Sequence, residues 1–426
     1  MSTILNRSIA PQARQVGTPK MVMPETVSLS NGIKVHFLSS GTQEVTKLEL
    51  LFQTGTISYP HPLVPGMAVS MLKEGTSSFN ATQIAEWVDN YGAFLETESG
   101  KDYSSISLYS LNRFLPVVLP LLSEIINNSI IPSEEFEINR NNKIQKFLVG
   151  LEKVGFVAGK RFQELLFGEK GYGIPVNSEH YNSLDREEVF QFYKSNILTQ
   201  AFEVYASGFI PDDLRSLIIK EFSGFSVNPS VSHPVLESAD MIKGSHFIEK
   251  ENAMQSAIRI GRPLFTRNHH DYFETKVLLT ILGGYFGSRL MSNIREDKGY
   301  TYGIGAGLAL MKNAGYFYIS TEVGAAVCKN AIDEIYKEIK ILRDEPVGMD
   351  ELGLVQNYML GSLLKSFEGP FECIERFKTI YLDGFSEDYY DRYAQAIKNV
   401  TPQRIQELAN RWLRREDFTE LVVGKI

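Results

Sequence analysis

The sequence predicts an α+β protein of two homologous domains from an internal duplication, each a largely antiparallel sheet covered by helices. Three observations carry that prediction. The order of elements in the first half recurs in the second. Strands follow strands and helices gather after them, unlike the strict alternation of a doubly wound parallel sheet. Landmarks also keep a near-constant separation, 207 residues from Gly92 to Gly299 and 216 from Glu134 to Asp350. The seam falls in "SVNPSVSHPVLES", residues 226–238, where proline and serine collect and periodicity disappears. The expected division is an N-terminal arm over 1–23, a first domain over 24–228 and a second over 229–426.

In the first half, "TKLELLFQTG" alternates Leu48, Leu50 and Phe52 against Glu49 and Gln53, the pattern of a half-buried strand. A helix follows with Ile84, Trp87, Val88 and Tyr91 at helical spacing, then Gly92, then the extended stretches "AFLETE" and "YSSISLYS". Another helix around "LPLLSEIINN" leads to Pro132 and a long helix on which Ile144, Phe147, Leu148 and Leu151 share a face. The second half repeats this with the strand "SAIRIGR", a helix through Leu290 and Ile294, Gly299, and the strands "YTYGIGAGL" and "GYFYISTEV". A helix through Ile332, Ile335, Ile339 and Leu342 then leads to Pro346 and "MDELGLVQNYMLGSLL".

Composition excludes several function classes. The 426 residues exceed one ordinary core. A net charge of −8 with no Lys/Arg cluster argues against nucleic acid. Two cysteines, Cys328 and Cys373, are too few for a disulfide framework or a thiolate zinc site. No apolar run is long enough to span a bilayer, and no secretory signal is evident. Residues 1–24 hold Arg7, Arg14 and Lys20 but no acid, a bias shared with mitochondrial presequences; Pro11 and Pro19 would interrupt the helix such a presequence needs. The expected compartment is therefore the cytoplasm, with the mitochondrial matrix second.

Chemistry concentrates in "NIREDKGYTYG", residues 293–303, where Arg295 and Tyr302 flank Gly299. Neither side chain is a base, nucleophile or metal ligand here, but both donate hydrogen bonds to oxygen. Gly299 lets the chain turn from the helix bearing Arg295 into the strand bearing Tyr302, so that both face one space. Taken alone, the pair reads more readily as a salt bridge plus a packed ring.

The surrounding stretch, "QSAIRIGRPLFTRNHHDYFETKVLLTILGGYFGSRLMSNIREDKGYTYGIGAG", resembles the C-terminal half of the insulinase-like (M16) zinc peptidases. "LSNGIKVHFL", "LFQTGT" and "LKEGTSSFNATQIAEWVDNYGA" are similar to the N-terminal half of the same family. The resemblance implies two α+β domains per chain and a clam-shaped proteolytic chamber. Active members carry an inverted His-x-x-Glu-His motif just before the "Gly-Thr" of the first half. The corresponding positions here are Gly66, Val69 and Ser70, and the stretch from Ile138 to Leu151, where the family has its third ligand, contains no acid. Zinc needs three protein ligands, so the resemblance implies no metal or other cofactor in this chain and zinc in a partner. It further implies that Arg295 and Tyr302 act in trans on the transition state and the substrate, with Gly299 and Tyr300 as substrate-binding positions. Donors aimed at a developing oxyanion contribute about 3 kcal/mol each.

The expected function is the zinc-free subunit of a heterodimeric M16-type metallopeptidase, inactive alone. Its expected partners are a zinc-bearing M16 subunit and an unfolded peptide substrate, with a homodimer left open for the isolated chain. The alternative is a non-enzymatic structural or peptide-binding scaffold, like degenerate members of the family.

Two other signals are weaker. His269 and His270, with Glu274 one turn on, imitate a metal site but read more simply as a solvated helix N-terminus. "GIGAG" and "GGYFG" are glycine-rich, but neither has a phosphate-loop context; the latter reads as close packing.

Overall fold

A computed structural model describes residues 17, 20–228 and 241–426. Most of the expected arm and most of the expected seam lie outside those residues. Strands β1 (Glu25–Ser28), β2 (Lys34–Ser39), β3 (Val45–Phe52), β4 (Phe94–Ser99), β5 (Ser104–Leu111) and β6 (Glu203–Gly208) form a sheet in the order β1-β2-β6-β3-β5-β4. Strands β7 (Gly244–Glu249), β8 (Gln255–Leu264), β9 (Thr301–Leu310), β10 (Gly315–Gly324) and β11 (Thr419–Gly424) form another in the order β7-β11-β8-β10-β9.

Without β1, the two orders correspond strand for strand, β2 to β7, β6 to β11, β3 to β8, β5 to β10 and β4 to β9. Each sheet has one parallel pair in the same place, β2 with β6 and β7 with β11, and is otherwise antiparallel. β6 and β11 end on Gly208 and Gly424, 216 residues apart, at φ of 127° and 138°.

The helices of the first half are α1 (Val64–Met71), α2 (Ala81–Asn90), α3 (Leu115–Asn128), α4 (Ser133–Leu151), α5 (Val154–Phe167), α6 (Ser178–Asn182), α7 (Arg186–Tyr193) and α8 (Asp212–Ser223). Those of the second are α9 (Tyr272–Leu279), α10 (Cys328–Asp344), α11 (Met349–Lys365), α12 (Pro370–Leu382), α13 (Tyr389–Asn399) and α14 (Pro402–Trp412). Their starts follow local chemistry. Asn80 and Gln83 form a reciprocal capping box at α2, and Thr401 accepts from the Arg404 N–H at α14, which has Pro402 in its first turn.

The helical layer of each half covers the inner face of its own sheet. The outer faces are covered by exchange. α5 of the first half lays Val154, Ala158, Phe162 and Leu165 on Ala257, Leu421 and Val423 of the second sheet. α12 of the second half returns Cys373, Ile374 and Phe377 to Leu38, Leu51 and Tyr205 of the first. Val154 and Pro370, which open the two helices, are 216 residues apart. Each fully buried aliphatic or aromatic side chain in such a seam contributes about 1.5–3 kcal/mol.

This exchange corrects the expectation for β3. The strand is buried on both faces, with Glu49 only 4% and Lys47 only 7% exposed. α12 lies over the polar face, so Lys47 Nζ donates to Glu49 (3.1 Å) and Glu375 (2.8 Å), and Lys378 Nζ donates to Glu49 (2.6 Å). The alternation in the sequence records one apolar and one ion-paired face, not one dry and one wet. A second correction concerns α4, where Phe147 is buried but Leu148 is exposed: the packed side of the helix is narrower than its apolar stripe, and Phe136, Phe147 and Gly150 are its buried positions.

Candidate functional site

Arg295 sits on a turn of π-helix, Met291–Asp297, where an α-helix was expected. The Lys298 N–H accordingly reaches Asn293 O at 3.0 Å, and the Tyr300 N–H reaches Ile294 O at 3.0 Å. Ile294, fully buried, anchors the turn, and Gly299 at φ 65° reverses the chain into β9. Added winding of this kind displaces side chains that a regular helix would stack.

β9 is an edge strand of its sheet, and its pairing with β10 slips beside the site. Thr321 faces Ile304 and Val323 faces Thr301, which leaves Tyr302 and Gly303 opposite Glu322 alone. Two threonine hydroxyls hold this bulge. Thr301 Oγ1 donates to Glu322 O (2.7 Å), Thr321 Oγ1 lies 2.9 Å from Gly303 O, and the two hydroxyls are 3.0 Å apart. A bulge bends the strand and re-aims the side chain upon it. Tyr302 is 95% exposed, an unusual state for a ring of that size.

Arg295 is held from two sides. Its Nε donates to Tyr302 O at 3.0 Å, and its guanidinium lies 4.6 Å from the centre of the Phe286 ring. Arg295, Gly299, Tyr300 and Tyr302 therefore line a single cleft of about 670 Å³, shared with Gln255 and Glu296. Neither Phe286 nor Gln255 was singled out in the sequence. Phe286 lies in the glycine-rich "GGYFG", whose Gly283 packs as expected: a Cβ there would meet the Ala306 N at 2.6 Å. Gln255 reaches the cleft through pairing with Gly324 across β8 and β10, which no local pattern signals.

The positions matching the zinc motif lie on α1. Gly66 has no side chain, and a Cβ there would find Ser99 at 3.8 Å. Val69 is buried apolar, and Ser70 Oγ already donates to Met67 O at 3.0 Å. These residues do not fit a zinc ion, because among the described residues no group of imidazoles or carboxylates gathers there to replace the missing donors. Among the described residues, one other cluster has ligand-type atoms within 4.8 Å of one another, His269, His270 and Asp271. It departs from the solvated helix start expected there. Asp271 is fully buried and accepts from Arg404 (2.5 Å), Arg411 (2.9 Å) and Trp412 Nε1 (3.0 Å). Burial pushes its carboxyl up, but those three donors prevail and hold it below the usual range. Glu274 is likewise taken, by Arg404 Nε at 2.7 Å, and His269 stacks on Phe265 with ring centres 4.2 Å apart. The cluster ties α9 to α14.

The described residues contain no helix long and apolar enough to cross a membrane. The Peptidase M16 inactive domain family matches residues 183–359, a span that includes Arg295 and Tyr302. An uncharacterized zinc protease of Bacillus subtilis is 20% identical, over 94% of this chain and 98% of its own length. One from Rickettsia felis is 24% identical, over 79% of each. In fold, the chain resembles a peptidase M16 inactive domain from Pseudomonas fluorescens, with a TM-score of 0.85 at 20% identity over 95% of this chain and 98% of the other. A protease from Helicobacter pylori gives 0.85 at 15% identity over 94% and 100%, and a chain of complex III from Candida albicans 0.76 at 13% over 94% and 95%. The chain thus matches the Peptidase M16 inactive domain family across residues 183–359, and its fold is similar to that of M16 peptidase structures along nearly its whole length.

Proposed function

We propose that this chain is the zinc-free subunit of a heterodimeric M16-type metallopeptidase and that it acts on substrate held by a zinc-bearing partner chain. The observation that carries the reading is the exposed Tyr302 hydroxyl on a braced bulge, beside Arg295, in a chain whose own motif positions are Gly66, Val69 and Ser70. Peptide hydrolysis places negative charge on the carbonyl oxygen, and a hydroxyl fixed in advance stabilises that charge without reorganising. With Nε spent on holding Tyr302 O and Nη1 only loosely paired with Glu296 at 4.0 Å, Arg295 can turn its terminal N–H groups to a peptide carbonyl. Gly299 and Tyr300 would border the bound peptide. The hydrolytic centre belongs to the partner in this reading, as does all zinc. The proposed division remains an arm over 1–23 and domains over 24–228 and 229–426, and the proposed compartment remains the cytoplasm.

The test is reconstitution with a zinc-bearing M16 chain from the same cells. Alone, each chain is expected to leave short unfolded peptides intact, and the mixture to hydrolyse them. Tyr302→Phe in the mixture should lower kcat by about 10²- to 10³-fold with little change in KM. Unchanged turnover would remove Tyr302 from the mechanism. The likeness to a chain of complex III favours a second reading, a scaffold without hydrolytic work. A stable complex whose activity ignores both Arg295 and Tyr302 would support it.

A further inference from the structure

A second cavity, of about 410 Å³, lies within the helical layer of the second half, between α9, α11, α12 and α13. Three cations line it, Arg267, Lys276 and Arg376, and no acid does so among the described residues. Arg267 is neutralised by Asp383, Nη1 to Oδ2 2.7 Å. Lys276 and Arg376 have no carboxylate within ion-pair distance among the described residues. The ammonium of Lys276 faces the rings of Tyr393 and Tyr272, with centres 4.5 and 5.8 Å away, and Arg376 Nε is buried without an acceptor.

Two half-buried cations without a carboxylate partner, facing one half-open cavity, are costly, because partial burial strips their hydration and each repels the other. The ring faces offset only part of that cost. Burial, reinforced by Arg267 and Arg376, accordingly pulls the Lys276 ammonium down to about 8. A structural cation normally has its counterion within the chain, as Arg404 has Asp271 and Glu274. Lys276 and Arg376 have no such counterion among the described residues. The guanidinium fork of Arg376 and the point charge of Lys276 together suit a tetrahedral dianion, and the Ser362 hydroxyl on the same wall adds a donor.

We propose that this cavity binds a small phosphate-bearing molecule, gripped by Lys276 and Arg376. The site is separate from the Arg295 and Tyr302 cleft and does not depend on the peptidase reading.

The test uses the purified full-length chain at pH 7, with inorganic phosphate titrated by calorimetry and thermal unfolding at constant ionic strength. Expected are saturable binding, a rise in Tm with phosphate, and weakening by about tenfold or more in Lys276→Met and in Arg376→Met. Lys276→Arg should retain binding. Without phosphate, Lys276→Met should melt above the wild type, because it removes a buried charge; a merely structural lysine would give a lower Tm. The proposal is overturned if wild-type protein shows no saturable phosphate binding, if succinate binds saturably and phosphate does not, or if both methionine variants bind phosphate as the wild type does.

Discussion

At the residue scale, glycines separate two kinds of constraint. Gly299 turns the chain at φ 65° with nothing within 4 Å of a built Cβ, so Gly299→Ala meets only the left-handed backbone penalty, about 1 kcal/mol. At Gly208 a Cβ would stand 2.1 Å from Val45 O in the neighbouring strand. Gly208→Ala should therefore cost about 4 kcal/mol or more, because backbone must move in the centre of a sheet on top of the strain that φ 127° imposes on a side chain. Urea unfolding of both variants checks the contrast, and equal losses would show that steric contact is not what constrains Gly208. The conformational cost was readable from the position of Gly299 between helix and strand. The clash at Gly208 was not, since Val45 is remote in sequence.

At the scale of elements, the bulge in β9 decides where Tyr302 points. Thr321 lies on the neighbouring strand, does not line the cleft, and supports Gly303 O through its hydroxyl. It is thus a positioning residue. Thr321→Val keeps the shape but removes the donor, and in the reconstituted peptidase it should lower kcat by about tenfold while leaving KM nearly unchanged. Thr321→Ser should restore most of the loss, whereas a change confined to thermal stability in both variants would leave the hydroxyl no part in aiming Tyr302. Sequence periodicity correctly marks β9 and β10 as strands. It does not reveal their slip, because register emerges from pairing between strands.

At the scale of the whole molecule, the exchanged helices make the halves interdependent, and acid should weaken the exchange. Burial raises the Glu375 carboxyl, but Lys378 and Lys47 outweigh it and bring the group down to about 2. A carboxyl lowered on folding stabilises the native state above its ordinary value of 4.5 and loses that contribution as pH falls toward 2. The Glu375 side chain is 38% exposed, so solvent screening limits the effect to about 1 kcal/mol. Urea midpoints of wild type and Glu375→Gln should therefore differ at pH 6, draw closer at pH 3 and converge near pH 2. A gap that widened in acid would contradict the assigned direction.

Much of this protein is determined by local pattern. Apolar periods of two and of 3.6 mark the strands and helices, and recurrence of their order marks the duplication, because both depend on neighbouring residues alone. The run from Gln255 to Gly307 likewise carries the resemblance to the M16 peptidases before any coordinates are considered. Only the tertiary structure decides what covers each sheet. Glu49 reads as a solvent-facing residue until α12 arrives from more than 300 positions away, carrying Glu375 and Lys378. The same holds for the cavity at Lys276, whose lining comes from a loop and four helices and whose charge imbalance exists only once they pack. Burial and charge compensation are properties of surroundings, and chain folding, not sequence adjacency, assembles surroundings.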